Sequence, residues 1–264
     1  MISKRVAIVT GASSGMGEAL TQDLVSKGWQ VAMADIQTNA ELAEKLGDSV
    51  SFHHCDVADY DSQARTFQEV WNNSIYIFGH KGSDEIPPKP NLICTDIDYK
   101  GVVYGTQLAI HFMRKNKTPG GSIVATASVA AVSPHESYPE YDGAKAAVLN
   151  FVRATSRILK IKENIRINCV LPGIVATKII PPEMVAAVSQ ECLTPVSTIV
   201  AGYDKCLSDE SLVGEALEAS AEKLLPIPRP GLQNGHVSAR SVTVWDPLFK
   251  MLHGEESGLP DAIA

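Results

Sequence analysis

A glycine-rich segment between a predicted strand and a predicted helix is the feature that most constrains the fold of this chain. The segment follows the apolar run at residues 6–10 and precedes a helical pattern over residues 18–27. Its sequence is Thr10-Gly11-Ala12-Ser13-Ser14-Gly15-Met16-Gly17. Glycines permit a tight turn and a close approach of the backbone to a pyrophosphate, and the N-terminus of the following helix attracts negative charge. Strand, turn and helix stand in the order that a dinucleotide-binding unit requires.

Strand and helix patterns alternate over most of the sequence. Predicted strands cover residues 6–10, 30–34, 50–54, 121–127, 165–171 and 215–219, and predicted helices cover residues 18–27, 40–46, 102–114 and 141–159. This alternation predicts an α/β fold with a single Rossmann-type, doubly wound parallel sheet flanked by helices. We expect one domain over residues 1–264, with a lid at about 178–212 and an irregular C-terminal segment at about 222–264, because prolines interrupt the pattern there.

Composition restricts the partners that the chain can bind. It has 264 residues, 45% of them hydrophobic, and no run resembles a transmembrane helix or a signal peptide. A net charge of -7 without a Lys/Arg-rich run disfavours nucleic acid. Five widely spaced cysteines and the scattered histidines predict reduced thiols and no metal site. We therefore expect a cytoplasmic protein with a small-molecule substrate and no membrane partner.

Two aspartates follow predicted strands. Asp35 comes 18 residues after Gly17, where a carboxylate can accept hydrogen bonds from the adenosine ribose and repel a 2'-phosphate. Its other interpretation is a solvated turn residue, but Ser13 and Ser14 offer no cation for a 2'-phosphate. Asp35 therefore favours NAD over NADP. Asp56 could bind the adenine amino group or simply form a turn.

A tyrosine and a lysine on one predicted helix supply candidate acid/base chemistry. Tyr141 and Lys145 are four residues apart, so they share a helix face, and the lysine ammonium favours the phenolate form of the tyrosine. Ser128 follows a predicted strand and precedes Tyr141 by 13 residues. Its hydroxyl can hydrogen-bond a substrate oxygen that changes between hydroxyl and carbonyl. The tyrosine-lysine spacing alone is common in solvated helices, and the serine makes it specific.

Together these residues resemble the short-chain dehydrogenase/reductase family, over about residues 4–180. The resemblance rests on the glycine-rich segment, Asp35, Asp56-Val57, Ser128, Tyr141-Asp142-Gly143-Ala144-Lys145, Asn168 and Pro172-Gly173-Ile174-Val175-Ala176-Thr177. Within the family, residues 98–107 and 243–249 are similar to fungal secondary-metabolism members related to hydroxyprostaglandin dehydrogenase.

The resemblance implies a role for each candidate site residue. Tyr141 would be the general acid/base, Lys145 would bind the nicotinamide ribose, and Ser128 would orient the substrate oxygen. Ile174 and Thr177 would contact the nicotinamide carboxamide. The remaining residues expected to bind the cofactor are Gly11, Ser13, Ser14, Gly15, Met16, Gly17, Asp35, Ile36, Asp56, Val57, Pro172 and Gly173. The implied reaction is reversible oxidation of a secondary alcohol to a ketone by NAD.

The chain departs from the family pattern at two places before the catalytic helix. The first is Asp98, which stands where the family has an asparagine whose backbone carbonyl holds a water in the proton relay. Backbone function survives that change, so we expect Asp98 to complete the catalytic group. The second is a missing Asn-Asn-Ala-Gly turn in a shortened interval after Asp56. Either residues 75–78 replace the central fourth strand, with Gly79 as the turn, or the chain is a truncated or mis-spliced member with impaired activity.

Two other functions fit the same residues. One is an NADPH-dependent ketoreductase, and the other is a redox-inactive protein that binds the cofactor on this scaffold. The apolar segment 179–185 favours a lipophilic or alicyclic substrate. Helices 102–114 and 141–159 carry apolar or small residues around more of their circumference than one sheet can cover, which predicts a partner subunit. The family resemblance implies a homodimer or homotetramer that forms through these helices.

Overall fold

Two β-sheets flanked by helices are seen in the computed structural model, which describes residues 5–55, 92–177 and 180–264. The first sheet contains parallel strands in the order β1 (Val6–Thr10), β2 (Gln30–Asp35) and β3 (Val50–His54). The second contains β4 (Gly121–Thr126), β5 (Ile165–Pro172), β6 (Ala216–Ser220) and β7 (Lys223–Pro226) in that order. Strands β4, β5 and β6 are parallel, and β7 pairs antiparallel to β6.

Helices connect the parallel strands, as the alternating pattern predicts. The helices are α1 (Gly15–Ser26), α2 (Ala40–Leu46), α3 (Gly101–Met113), α4 (Pro139–Glu163), α5 (Pro182–Ala187), α6 (Val196–Ser208), α7 (Gly235–Ser241) and α8 (Asp246–His253). A short π-helix at Thr95–Lys100 runs directly into α3. No helix in the described ranges is long and apolar enough to cross a bilayer. The α/β class with parallel strands is confirmed.

The expected single sheet is present as two sheets among the described residues, with β1 and β4 as edge strands. The family order would place a fourth strand between them. One explanation places residues 75–78 and Gly79 in that position. These residues lie outside the described residues, as do Asp56 and Val57, and both explanations stay predictions.

The core is centred on β5, whose eight residues are all buried. A parallel strand covered on both faces is typically rich in apolar residues, and Ile165, Ile167 and residues 169–171 fit that pattern. The polar side chains of Arg166 and Asn168 are also buried, and both donate to backbone carbonyls within residues 206–212. On one face Ile167 and Cys169 pack against Val148 and Val152 of α4. On the other, Val170 packs within the cluster that contains Ile199 of α6. The helix that carries Tyr141 and Lys145 therefore packs directly against the buried core strand.

Helix packing connects the two sheets. Helix α1 packs against α6, and the Lys27 ammonium lies 2.7 Å from the Asp204 carboxylate across that contact. Leu20 packs against the core clusters of both sheets. The glycine-rich turn at the start of α1 is thereby held against the second sheet.

The structure corrects the expected lid at 178–212. Its second half contains α6, in which Ile199, Tyr203 and Cys206 are buried in the core. These residues recur at helical spacing, so α6 buries one face and belongs to the folded body. A lid within residues 180–195 stays a prediction.

The expected irregular C-terminal segment at 222–264 is also corrected, because it contains β7, α7 and α8. Two prolines of this segment lie at element boundaries. Pro226 ends β7, and Pro247 occupies the first turn of α8. Proline favours such positions because its missing N–H is not needed there.

Candidate active site

The glycine-rich turn between β1 and α1 has the shape of an anion cradle. Gly11 and Gly15 adopt positive φ values of 67° and 53°, which side chains disfavour. At Gly17 a Cβ atom would lie 2.0 Å from the backbone oxygen of Gly11, so the helix approaches the turn too closely for any other residue. Helix α1 begins at Gly15, and its first N–H groups have no partner within the helix. These free donors and the helix dipole favour a bound anion at this turn.

Asp35 lies beside this turn at the carboxyl end of β2. Its Oδ2 accepts the backbone N–H of Ser13 at 2.9 Å, and its Oδ1 accepts the N–H of Gln37 at 2.9 Å. The Asn39 side chain donates to the carbonyl of Ser13 at 2.9 Å, and the Ser13 hydroxyl donates to the Gln37 carbonyl. The carboxylate is thus held at the edge of the turn, with Ile36 next to it. Each oxygen retains a lone pair for a further donor.

The loop after β5 reaches the same turn. A Cβ placed on Gly15 would lie 3.6 Å from Cγ2 of Thr177, so these two expected site residues are neighbours. The N–H of Gly173 donates to Ala219 at 2.8 Å, and the carbonyl of Ile174 accepts from Thr194 at 2.7 Å. Pro172 ends the buried strand. The structure therefore brings the loop from Pro172 to Thr177 to the first turn of α1.

Lys145 is the most constrained side chain of the site. It is only 8% exposed, and its ammonium donates to Oδ1 of Asp98 at 2.9 Å and to the backbone oxygen of Thr126 at 3.3 Å. The ammonium also lies 5.6 Å from the centre of the Tyr141 ring. The shared helix face of Tyr141 and Lys145 is thus observed.

The charge of Lys145 depends on its neighbours. Burial is the largest influence and lowers the pKa of the ammonium, but the charges of Asp98 and Tyr141 and the hydrogen bond to Asp98 outweigh it. The pKa of Lys145 therefore lies above the ordinary lysine value. The ammonium stays protonated although it is buried.

Ser128 follows β4 and begins the turn at Val129–Ala131 that packs against α4. Its side chain is nearly buried, and its oxygen accepts the N–H of Ala130 at 3.2 Å. Its hydroxyl hydrogen is therefore available to a substrate oxygen. Tyr141 lies in the first turn of α4 and is partly exposed, as a group that meets a substrate must be.

Sequence reasoning missed two residues that support Lys145. Thr126 supplies a backbone acceptor to Lys145, and its hydroxyl lies 2.8 Å from the phenol oxygen of Tyr203 on α6. Burial raises the pKa of Tyr203, so this phenol is neutral and serves as a structural contact. The available signal was the position of Thr126, two residues before Ser128 on the same strand.

A cavity of about 390 Å³ lies along the flank of α4. Most of its lining is apolar, with Ala130, Ala131 and Val132 on one side. His135 and Asp142 add polar groups, and Asp142 accepts the backbone N–H of His135 at 2.6 Å. His135, an exposed loop residue, thus borders the cavity.

Comparisons with known proteins agree with this geometry. The family model for short chain dehydrogenases matches residues 5–184. The chain belongs to this family. Among its relatives, short-chain dehydrogenase/reductase prx6 of Penicillium rubens is 51% identical over 98% of this chain and 97% of its own length.

A more distant relative and a solved structure also match the chain. The NAD(+)-named 15-hydroxyprostaglandin dehydrogenase of Rattus norvegicus is 30% identical, over 68% of this chain and 71% of its own. The crystal structure of 3-hydroxyacyl-CoA dehydrogenase type-2 from Mycobacterium avium matches with a TM-score of 0.68 at 22% identity. That match covers 87% of this chain and 100% of the other. The resemblance to fungal members of the family is confirmed by prx6, and the resemblance to hydroxyprostaglandin dehydrogenase by the rat relative.

The side chains of Met16 and Asp98 in this short-chain dehydrogenase make contacts that the sequence did not predict. The Met16 side chain packs against the core of the second sheet, so contact with a cofactor there would come from its backbone N–H. Asp98 was expected to act through its backbone alone, yet its carboxylate binds Lys145 directly. An ion pair 47 residues apart in sequence forms only when the chain folds.

Proposed function

We propose that this short-chain dehydrogenase oxidises a secondary alcohol to a ketone, reversibly, with NAD as its cofactor. The observation that carries the proposal is the buried Lys145, whose ammonium lies 2.9 Å from the Asp98 carboxylate and 5.6 Å from the centre of the Tyr141 ring. A redox-inactive protein on the same scaffold would have no need to keep a charged lysine in the interior against its desolvation cost.

The residues of the chain divide the reaction between them. Tyr141 takes the proton of the substrate hydroxyl, and Ser128 donates a hydrogen bond to the same oxygen. Lys145 stabilises the negative charge on the tyrosine and holds the nicotinamide ribose. The cofactor supplies the hydride acceptor when bound. For each turnover the C–H and O–H bonds of the alcohol break, one hydride and one proton leave, and a C=O bond forms.

The turn beside Asp35 fits a dinucleotide. Gly17 leaves room for nothing larger than hydrogen, so the cradle is shaped for backbone contact with phosphate oxygens. Gly173, Ile174 and Thr177 would hold the nicotinamide end, next to the same turn. Asp35 would accept the ribose hydroxyls, and its negative charge disfavours the 2'-phosphate of NADP.

Calorimetric titration with NAD and NADP tests the cofactor. We expect NAD to bind at least about tenfold more tightly, which requires only about 1.4 kcal/mol. Asp35→Asn keeps one side-chain acceptor and removes the charge, so the difference in affinity between NAD and NADP should decrease. Glu41→Gln removes a charge from α2 and serves as the control, in which this difference should stay unchanged. Equal affinities in the wild type would instead favour the NADPH-dependent ketoreductase.

A screen of small lipophilic and alicyclic secondary alcohols tests the reaction. Tyr141→Phe should abolish turnover while NAD binding stays nearly intact, because the phenol acts on the proton in flight. Tyr138→Phe, a nearby exposed phenol, should remain active. A wild-type chain that binds NAD but oxidises no alcohol in a broad screen would support the redox-inactive alternative.

We propose a homodimer or homotetramer in the cytoplasm. Tyr104, Leu108 and Phe112 form a stripe on α3, and each is at least half exposed. A partner subunit would bury this stripe. Sedimentation velocity should show an assembly at micromolar concentration, and Leu108→Lys should shift it towards monomer. Met251→Lys changes an exposed apolar residue on α8 and should leave the assembly intact; a wild-type monomer would refute the proposal.

A further inference from the structure

We propose that the side-chain carboxylate of Asp98 is a positioning residue, which holds the Lys145 ammonium protonated and oriented for the reaction. The inference rests on the proposed dehydrogenase function, whose asparagine counterpart acts through its backbone. It assigns a function to the side chain that this chain carries in place of the asparagine.

The geometry gives the carboxylate a direct contact with the lysine. Oδ1 of Asp98 accepts one ammonium hydrogen at 2.9 Å, and the carbonyl of Thr126 accepts another at 3.3 Å. An ammonium has three hydrogens, so these two bonds fix the direction of the third. The third hydrogen is the one left for a ribose hydroxyl. The side-chain NH2 group of an asparagine at this position could only donate, and its side-chain oxygen could accept the bond but would carry no charge.

Asp98 is itself held in place by a short π-helix. The π-helix at Thr95–Lys100 continues into α3 and packs against α4, and such bulges are frequent at functional sites. The backbone N–H and hydroxyl of Thr95 both donate to Glu140 on α4, at 2.8 and 2.7 Å. The element that carries Asp98 is therefore bound directly to the helix that carries Lys145.

Among the groups around the Lys145 ammonium, Asp98 is the main source of negative charge. The other titratable groups around Lys145 are Tyr141 on its own helix and Tyr203 on α6, with Cys94 before the π-helix. Burial and a hydrogen bond to Glu140 raise the pKa of Cys94 to about 12, and burial raises that of Tyr203, so both are neutral near neutral pH. Asp98 thus supplies the fixed negative charge that offsets burial of the ammonium.

Asp98→Asn separates the two possible roles, because it keeps the backbone carbonyl and the side-chain shape. The Lys145 ammonium is titrated by NMR through its labelled Cε, with Lys145→Met to assign the signal. We expect the titration midpoint of Lys145 to be at least one pH unit lower in Asp98→Asn than in the wild type. NAD affinity measured from pH 6 to 11 should decline at correspondingly lower pH, and at the wild-type midpoint the variant should bind NAD at least about fivefold more weakly than the wild type does.

Asp96→Asn is the matched control, since Asp96 forms an exposed ion pair with Lys100 on the same π-helix, at 2.6 Å. It should leave the Lys145 midpoint unchanged. If Asp98→Asn folds poorly, the comparison is repeated with Asp98→Glu, which should retain a raised midpoint. In a Lys145→Met background, Asp98→Asn should cause no further loss of kcat/KM.

An unchanged Lys145 midpoint in folded Asp98→Asn would overturn the proposal and leave the backbone role alone. Further loss of kcat/KM in the Lys145→Met background would also overturn it, because Asp98 would then act independently of the lysine. The titration of Lys145 needs neither substrate nor turnover. Failure of the proposed dehydrogenase activity therefore shows itself separately, as a wild type with the expected lysine titration and no alcohol oxidation.

Discussion

The close approach of α1 to the glycine-rich turn can be tested by adding one methyl group. In Gly17→Ala the new Cβ would lie 2.0 Å from the oxygen of Gly11, 2.6 Å from its carbonyl carbon and 3.1 Å from the nitrogen of Ala12. Real Cβ atoms essentially never approach other atoms within 3.0 Å, so the turn and the helix must separate by about 1 Å. All three obstructing atoms are backbone, and no side chain can rotate to relieve the contact.

Two effects of opposite sign determine the stability of this variant. Alanine favours a helix over glycine by roughly 0.5–1 kcal/mol. Overpacking a tight contact costs about 1–3 kcal/mol, and the backbone of Gly11 is already in the left-handed region. We therefore expect a net loss of stability. The displaced cradle should lower NAD affinity at least about tenfold, or about 1.4 kcal/mol.

Calorimetry for NAD and thermal unfolding for stability measure the two effects. Gly28→Ala is the matched control, because Gly28 follows the other end of α1 with a φ of 82° and nothing within 4 Å of its Cβ position. It should cost about 1 kcal/mol from backbone strain and leave NAD affinity unchanged. Wild-type affinity in Gly17→Ala would refute the assignment of this turn to the pyrophosphate.

Three more predictions follow from buried groups. Cys94, whose pKa burial raises to about 12, should resist iodoacetamide at pH 8, while the exposed Cys192 reacts, as peptide mass spectrometry will show; rapid alkylation of Cys94 in the folded chain would contradict its burial. The Arg166 guanidinium donates to four backbone carbonyls at the end of α6 and beyond, so Arg166→Met should lower the free energy of unfolding by about 2–4 kcal/mol in urea titrations. A loss below 0.5 kcal/mol would count against that role. Because the pKa of Lys145 is raised, its ion pair contributes full stability below the unfolded lysine pKa of about 10.4 and loses it as pH rises through the folded value. Between pH 9 and 12 the melting temperature should therefore fall less in Lys145→Met than in the wild type. An equal fall in the two proteins would contradict this prediction.

Periodicity predicted the regular elements of the first half well. The bounds of β1, α2 and β3 agree with the sequence pattern to the residue. These elements are short, buried on one side and bounded by turn residues, so local sequence determines them. Helix α1 begins at Gly15, three residues before its predicted start, because Gly15 and Gly17 have poor helix propensity and give no helical signal in the sequence.

Elements whose stability depends on distant contacts were harder to predict. Helix α6 was assigned to a lid because Pro195 precedes it, yet proline before a helix is compatible with its start. The pairing of β7 with β6 depends on the turn at Ala221-Glu222, where Ala221 has a positive φ of 47°. An alanine gives no sequence signal for that conformation.

In the candidate site, too, some features follow from local sequence and others depend on distant contacts. Tyr141, Lys145 and Ser128 follow from local spacing, whereas the contact between Asp98 and Lys145 depends on packing of the π-helix against α4. Thr126 was missed because its function is carried by its backbone oxygen, which every residue has. The roles of these residues stay predictions.

The hydrogen bonds of Asp35 limit the evolutionary routes open to descendants of this chain. Its two oxygens accept the N–H groups of Ser13 and Gln37, so replacement by an aliphatic residue would leave two donors without partners, at about 1–3 kcal/mol each. A lineage that exchanged one nicotinamide cofactor for the other through this position would lose stability in the same step. Substitution to asparagine or serine, which keeps a side-chain oxygen, is the route with the smaller penalty.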